Sequence, residues 1–126
     1  MPAVDSVLLR IRRRPEPLVP DKLRGAFRDL MTALFTAWKP SVFEALKTFV
    51  PAETVHLLRA ELGSELSRSP GQVPITLWLR LFERIVALDD DRVWSAVAGS
   101  SGRLQERQMR LIKQHRTPVH NGPRRR

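Results

Sequence analysis

The chain has 126 residues and no cysteine, and its formal net charge at pH 7 is +9. A chain of this length predicts one domain with one modest hydrophobic core. Without cysteine it forms no disulfide, no thiolate zinc site and no cysteine nucleophile. No apolar segment reaches the roughly 18 residues of a membrane span, and none near the N-terminus has the features of a signal peptide. We therefore expect a soluble, intracellular protein of the cytoplasm, nucleoid or nucleus.

The excess positive charge lies at the two ends of the chain. Residues 1–20 contain four arginines against Asp5 and Glu16, and residues 103–126 contain eight arginines or lysines against Glu106. Residues 21–102 contain ten basic and ten acidic side chains and are therefore neutral. A neutral body with cationic ends indicates a folded module that presents charge to an acidic partner.

Prolines and capping residues divide the first half of the chain into helices. Apolar residues recur every three or four positions over residues 21–39, which predicts an amphipathic helix. Pro40 ends this helix, because the residue before a proline avoids the helical conformation. Ser41 and Glu44 have the spacing of a capping box, which predicts a second helix over residues 42–50.

A third helix is expected to begin after Pro51 and to place four apolar residues in the core, namely Val55, Leu58, Leu62 and Leu66. Residues 67–73 have the composition of an exposed loop. The following helix, over residues 75–88, is apolar around more than half its circumference, so we expect it at the centre of the bundle. The tryptophans are expected to anchor the core: Trp38, Trp78 and Trp94.

A short fifth helix is predicted to follow Asp89, Asp90 and Asp91 and to end at Gly99, and a sixth to cover residues 102–115. The sequence thus predicts an all-α fold, a compact bundle of five or six short helices with a central apolar helix and flexible basic termini. Its predicted divisions are a basic, proline-containing arm over residues 1–20, a helical domain over residues 21–115 and a disordered basic tail over residues 116–126.

No motif in the sequence indicates a reaction. The three aspartates before the fifth helix are interpreted as a helix cap, and the spacing of the three histidines does not indicate a zinc site. Signatures of nucleophilic and phosphoryl-transfer enzymes are missing. We therefore predict a protein that is not an enzyme and that needs no cofactor and no metal.

The candidate binding site is the sixth helix with the tail. Arg103, Arg107 and Arg110 follow one another at helical spacing and form a stripe that suits phosphate groups. No aromatic residue follows Trp94, so base stacking is not expected to contribute. The complete predicted site is Arg103, Arg107, Arg110, Lys113, Arg116, Arg124, Arg125 and Arg126, with a secondary basic patch at Arg12, Arg13 and Arg14.

We interpret the chain as a small, non-enzymatic regulatory or structural module that binds DNA or RNA through the phosphate backbone. A helix-turn-helix with Gly99 at the turn is one variant of this interpretation. The alternative is a helical protein-protein interaction adaptor that self-associates or docks on an acidic protein, with the basic tail incidental. Its partners would then be a protein or a second copy of the chain.

Overall fold

The computed structural model describes residues 7–114, and the side chains of residues 7–111. This part of the chain is all-α, which confirms the predicted fold class, and it contains no strand. The α-helices are α1 (Arg24–Thr36), α2 (Val42–Phe49), α3 (Ala52–Leu62), α4 (Ile75–Leu88), α5 (Asp91–Val97) and α6 (Ser100–Gln114). Short 3-10 helices cover Asp21–Leu23, Gly63–Ser67 and Pro70–Gln72.

Helix boundaries follow local chemistry at several points. Ser41 is the N-cap of α2, and its hydroxyl accepts a hydrogen bond of 3.2 Å from the backbone N–H of Glu44. Asp90 is the N-cap of α5, and its carboxylate accepts from the backbone N–H of Arg92 at 3.0 Å. Both caps agree with the sequence, since the clustered acidic residues predict a cap for the fifth helix.

Helix α1 packs against α2, α5 and α6, while α2 also packs on α3 and α5, and α3 packs on α4. Aromatic contacts join α1 to α4 as well, with ring centroids 5.1 Å apart for Phe27 and Phe82 and 5.2 Å apart for Phe35 and Trp78. Fully buried side chains come from each of α1 to α5: Leu30 and Leu34, Leu46, Leu58, Leu81 and Ile85, and Val93 and Val97. The predicted inward residues of the third helix, Val55, Leu58, Leu62 and Leu66, are buried.

The structure does not confirm the central position predicted for α4. Five of its residues are buried, namely Leu77, Trp78, Leu81, Phe82 and Ile85. The opposite side is open, since Arg80 and Glu83 are exposed and Ile75 is half exposed. The reason is that hydrophobic composition does not specify neighbours, and one apolar face is enough to attach a helix to a bundle.

Part of the α4 surface is covered by the segment before α1. Val19 is buried, and Leu18, Val19 and Pro20 line an apolar groove of about 270 Å³ together with Leu79 and Val86 of α4. Val19, which falls within the predicted arm, therefore belongs to the core.

The end of α1 differs from the prediction. The helix stops at Thr36, and Trp38 adopts a left-handed backbone conformation with φ 53°. Its side chain is 91% exposed, so the prediction that Trp38 anchors the core is wrong. Trp78 does anchor the core, and Trp94 packs against Phe82 with ring centroids 6.0 Å apart. Periodicity places Trp38 on the apolar stripe, but the helix ends before that residue and its register no longer applies.

The N-terminal residues 1–6 and the predicted tail, residues 116–126, lie outside the described residues, so the flexible basic termini stay a prediction. Between residues 7 and 114, the helices are too short or too polar to cross a lipid bilayer.

Candidate nucleic-acid interface

Helix α6 is attached to α1 through its first turn. Gly99, which precedes the helix, has φ 74°, a conformation that favours glycine. The Asp29 carboxylate of α1 accepts hydrogen bonds from the backbone N–H of Gly99 at 2.8 Å and from that of Ser101 at 3.0 Å. It also accepts from the Ser101 hydroxyl at 2.5 Å. A carboxylate from another helix thus caps the free N–H groups at the start of α6.

The electrostatics of Asp29 match this role. Partial burial by itself raises the pKa of its carboxyl, but the hydrogen bonds from Ser101 and Gly99 and the nearby charge of Arg103 outweigh burial. The net effect is a pKa below the ordinary value of an aspartate. Asp29 is therefore held as a carboxylate in the folded protein.

The structure brings three predicted site residues onto one exposed face of α6. Arg103, Arg107 and Arg110 line a shallow depression of about 330 Å³ together with Glu106. In the described part of the chain, Arg107 and Arg110 form no ion pair, although Glu106 lines the same depression. Their guanidinium groups are thus available to an anionic partner.

Arg103 has a second role that spacing alone does not predict. Its guanidinium donates to the carbonyl of Ala98 at 2.8 Å and to the hydroxyl of Ser100 at 2.9 Å. Because an arginine has five N–H donors, these bonds still leave donors that face solvent. Arg103 therefore braces the turn before α6 and contributes positive charge to the same face.

The remaining predicted cations of this site are only partly within the structure. Lys113 is part of α6, but its side chain lies outside the described residues. Arg116, Arg124, Arg125 and Arg126 lie outside them as well. Their assignment to the site stays a prediction.

In the structure, Arg24 lies on the same cleft as two residues of the secondary basic patch. Arg12, Arg13 and Arg14 are exposed. Arg13 and Arg14 line an open cleft of about 770 Å³ together with Arg24 of α1. Asp21, on the same cleft, pairs with Arg24 and neutralises part of its charge.

The helix-turn-helix variant has little support in the geometry. Only Ala98 and Gly99 separate α5 from α6, whereas the turn of that motif has about three or four residues. Helix α6 packs mainly on α1, so it is placed by a helix distant in sequence.

Residues 7–114 contain no cluster of three or more histidines and carboxylates suited to a metal ion.

The role of Asp29, which lies on the polar face of α1, was not predicted from the sequence, because no local pattern marks a carboxylate that caps another helix. The exposure of Trp38 on the surface was not predicted from the sequence either.

Comparison with known proteins relates the chain to enzymes that modify RNA. It is 39% identical over 90 residues to a protein of Streptomyces thermotolerans named rRNA methyltransferase, a match that covers 68% of this chain and 28% of that protein. It is 28% identical over 92 residues to a protein of Saccharopolyspora erythraea named rRNA adenine N-6-methyltransferase, covering 73% of this chain and 24% of that protein. The chain thus spans about a quarter of the length of these curated relatives. No protein-family model and no solved structure matches it.

These similarities correct two predictions. Both relatives are named as methyltransferases, which contradicts the prediction that the protein is not an enzyme and the prediction of a non-enzymatic regulatory or structural module. The protein adaptor, the alternative interpretation, has no support from them either. The signatures missing from the sequence are those of hydrolases and phosphoryl-transfer enzymes, and a segment matching a quarter of a methyltransferase need contain neither.

Proposed function

We propose that this chain is the helical, RNA-holding part of an rRNA methyltransferase. The observation that carries the proposal is the 39% identity to a protein named rRNA methyltransferase, over a segment that includes most of this chain. The second relative, whose name specifies adenine N-6, supports methylation of an adenine amine. The fold adds a free cationic helix face, which suits an RNA substrate.

The part of the site that meets RNA is the arginine face of α6, defined here as Arg103, Arg107 and Arg110. RNA presents phosphates along its whole length, and guanidinium groups pair with phosphate through charge-assisted hydrogen bonds. Three cations along one helix face fit a run of phosphates without reading bases. We extend the site by proposal to Lys113, Arg116, Arg124, Arg125 and Arg126, and place a secondary contact at Arg12, Arg13 and Arg14.

An RNA-holding role gives the helical part a task that methyl transfer requires. An enzyme that modifies a base takes that base out of its stack, which costs a few kcal/mol. Contacts to the phosphate backbone hold and orient the RNA while that happens. The arginine face of α6, anchored to α1 through Asp29, provides such contacts on a rigid support.

The proposal is tested by filter binding of the chain to an rRNA fragment over a series of salt concentrations. We expect binding at low salt that weakens steeply as salt rises, because cations that neutralise phosphates release counterions from the RNA. Methylation is measured separately, as N6-methyladenine formed in rRNA incubated with the protein and a methyl donor. Absence of rRNA binding even at low salt would refute the proposed RNA-holding role.

A further inference from the structure

The most unusual surface residue of the molecule is Trp38, in the turn between α1 and α2. Its side chain is 91% exposed, whereas Trp78 is 4% exposed and Trp94 is partly buried. Lys39 and Pro40, which follow it, are exposed as well. A large ring therefore stands in solvent, and the next residue in the sequence is an exposed cation.

The backbone of Trp38 is strained in addition. Its φ of 53° is in the left-handed region, where a bulky L-residue has an unfavourable contact between its Cβ and the backbone. Within residues 7–114 the other non-glycine residue with a positive φ is Asp89, a residue type that tolerates this conformation. Glycine at position 38 would adopt the same turn without strain. Trp38 thus lowers the stability of the fold through both its strained backbone and its exposed apolar ring. Residues with strained backbones concentrate at functional sites.

The surroundings of the ring favour a nucleobase over a protein surface. Protein interfaces are centred on contiguous apolar patches, but the two residues after Trp38 are a lysine and a proline, both in solvent. Phe35, one turn before Trp38, is half exposed, and its ring packs on Trp78 with centroids 5.2 Å apart. Stacking of a base needs only one accessible aromatic face, with a nearby cation for the adjoining phosphate. The indole ring of Trp38 supplies the aromatic face, and Lys39 supplies the cation.

We propose that Trp38 stacks on an unpaired nucleobase of RNA, with Lys39 contacting the neighbouring phosphate. This inference rests on the proposed function and adds to it a contact of a different kind. The arginine face of α6 depends on charge, while stacking on Trp38 depends on the aromatic face. It differs from the expectation from sequence that base stacking does not contribute.

The test compares Trp38→Ala, Trp38→Gly and Trp38→Phe with the unaltered chain, using single-stranded RNA and filter binding over a salt series. We expect Trp38→Ala and Trp38→Gly to bind about 5- to 50-fold more weakly, and Trp38→Phe to retain part of the affinity. The dependence of affinity on salt should stay unchanged in Trp38→Ala and Trp38→Gly, because no cation is removed. Leu57→Ala, which also shortens an exposed apolar side chain, is the matched control and should bind normally.

Two further readouts separate stacking from a structural role. The urea midpoint of Trp38→Gly should equal or exceed that of the unaltered chain, so its weaker binding cannot be ascribed to unfolding. RNA should quench the fluorescence of the exposed tryptophan, and this quenching should be absent in Trp38→Phe.

The outcomes are distinct. RNA binding of normal strength by Trp38→Ala and Trp38→Gly would overturn the stacking contact and leave the proposed function intact; the exposed ring would then belong to a protein-protein contact. Failure of the unaltered chain to bind RNA would remove the proposed function itself.

Discussion

Asp29 of α1 and Ser101 of α6, 72 positions apart in the sequence, are joined by two hydrogen bonds, one from the backbone N–H and one from the hydroxyl of Ser101. The pair defines where α6 starts and which helix supports it. Because α6 carries the arginine face, the position of the proposed RNA contact depends on a carboxylate that is not on the same helix.

Replacing Asp29 with alanine should destabilise the protein by about 1–2 kcal/mol, because the substitution removes three hydrogen bonds and leaves the N–H groups at the start of α6 without their partner. Urea unfolding measures the change. Asp21→Ala is the matched control, since Asp21 pairs with Arg24 in solvent and its removal should cost less than about 0.5 kcal/mol. Equal effects of the two substitutions would contradict the capping role of Asp29.

The stability of the protein should fall in acid partly through Asp29. Its pKa is lowered in the folded state, so its contribution is fully present above the unfolded pKa and is lost as the pH falls through the folded pKa. Glu61 and Asp90 also have lowered pKa values, through Arg84 and Arg92, so the comparison is made against Asp29→Asn. We expect the stability difference between the two proteins to shrink between about pH 5 and pH 2. A constant difference across this range would show that the charge of Asp29 is immaterial.

Removing charge from the arginine face should weaken RNA binding and change its salt dependence. Arg107→Ala and Arg110→Ala each remove one cation that is proposed to neutralise a phosphate. In each variant the slope of log affinity against log salt should therefore decrease by about 1. Arg80→Ala is the matched control, an exposed arginine on α4 outside the proposed site, and should keep the original slope. If all three variants lose affinity equally, binding follows net charge and not the arginine face.

Shortening a buried side chain should destabilise the protein much more than shortening an exposed one. Leu30 of α1 has no exposed surface, so Leu30→Ala should cost about 2–5 kcal/mol in the free energy of unfolding. Leu57 on α3 is 52% exposed, and Leu57→Ala should cost less than about 1 kcal/mol. Chemical denaturation of both variants gives the comparison, and similar losses of stability would be inconsistent with the described packing.

The sequence was sufficient for several features that depend on a local signal. Ser41 with Glu44 marks the start of α2, and the predicted range of the fourth helix, 75–88, agrees with the observed one. The stripe of Arg103, Arg107 and Arg110 follows from helical spacing alone, and the structure places these residues on one face.

What the sequence could not provide depends on contacts between distant residues. Nothing near Asp29 indicates that it caps a helix 70 residues away, and nothing near Trp38 indicates that α1 ends two residues earlier. The apolar composition of the fourth helix predicts a central position, yet neighbours are decided by how all the helices fit together. The enzymatic relationship was missed because it rests on overall similarity to a part of longer proteins and not on a motif.

Helix α1 both supports α6 through Asp29 and leads into the turn that displays Trp38. In a random mutagenesis screen for loss of RNA binding, substitutions in α1 should therefore include many that weaken binding without unfolding the protein. Substitutions in α3, which carries neither contact, should be recovered only when they unfold the protein.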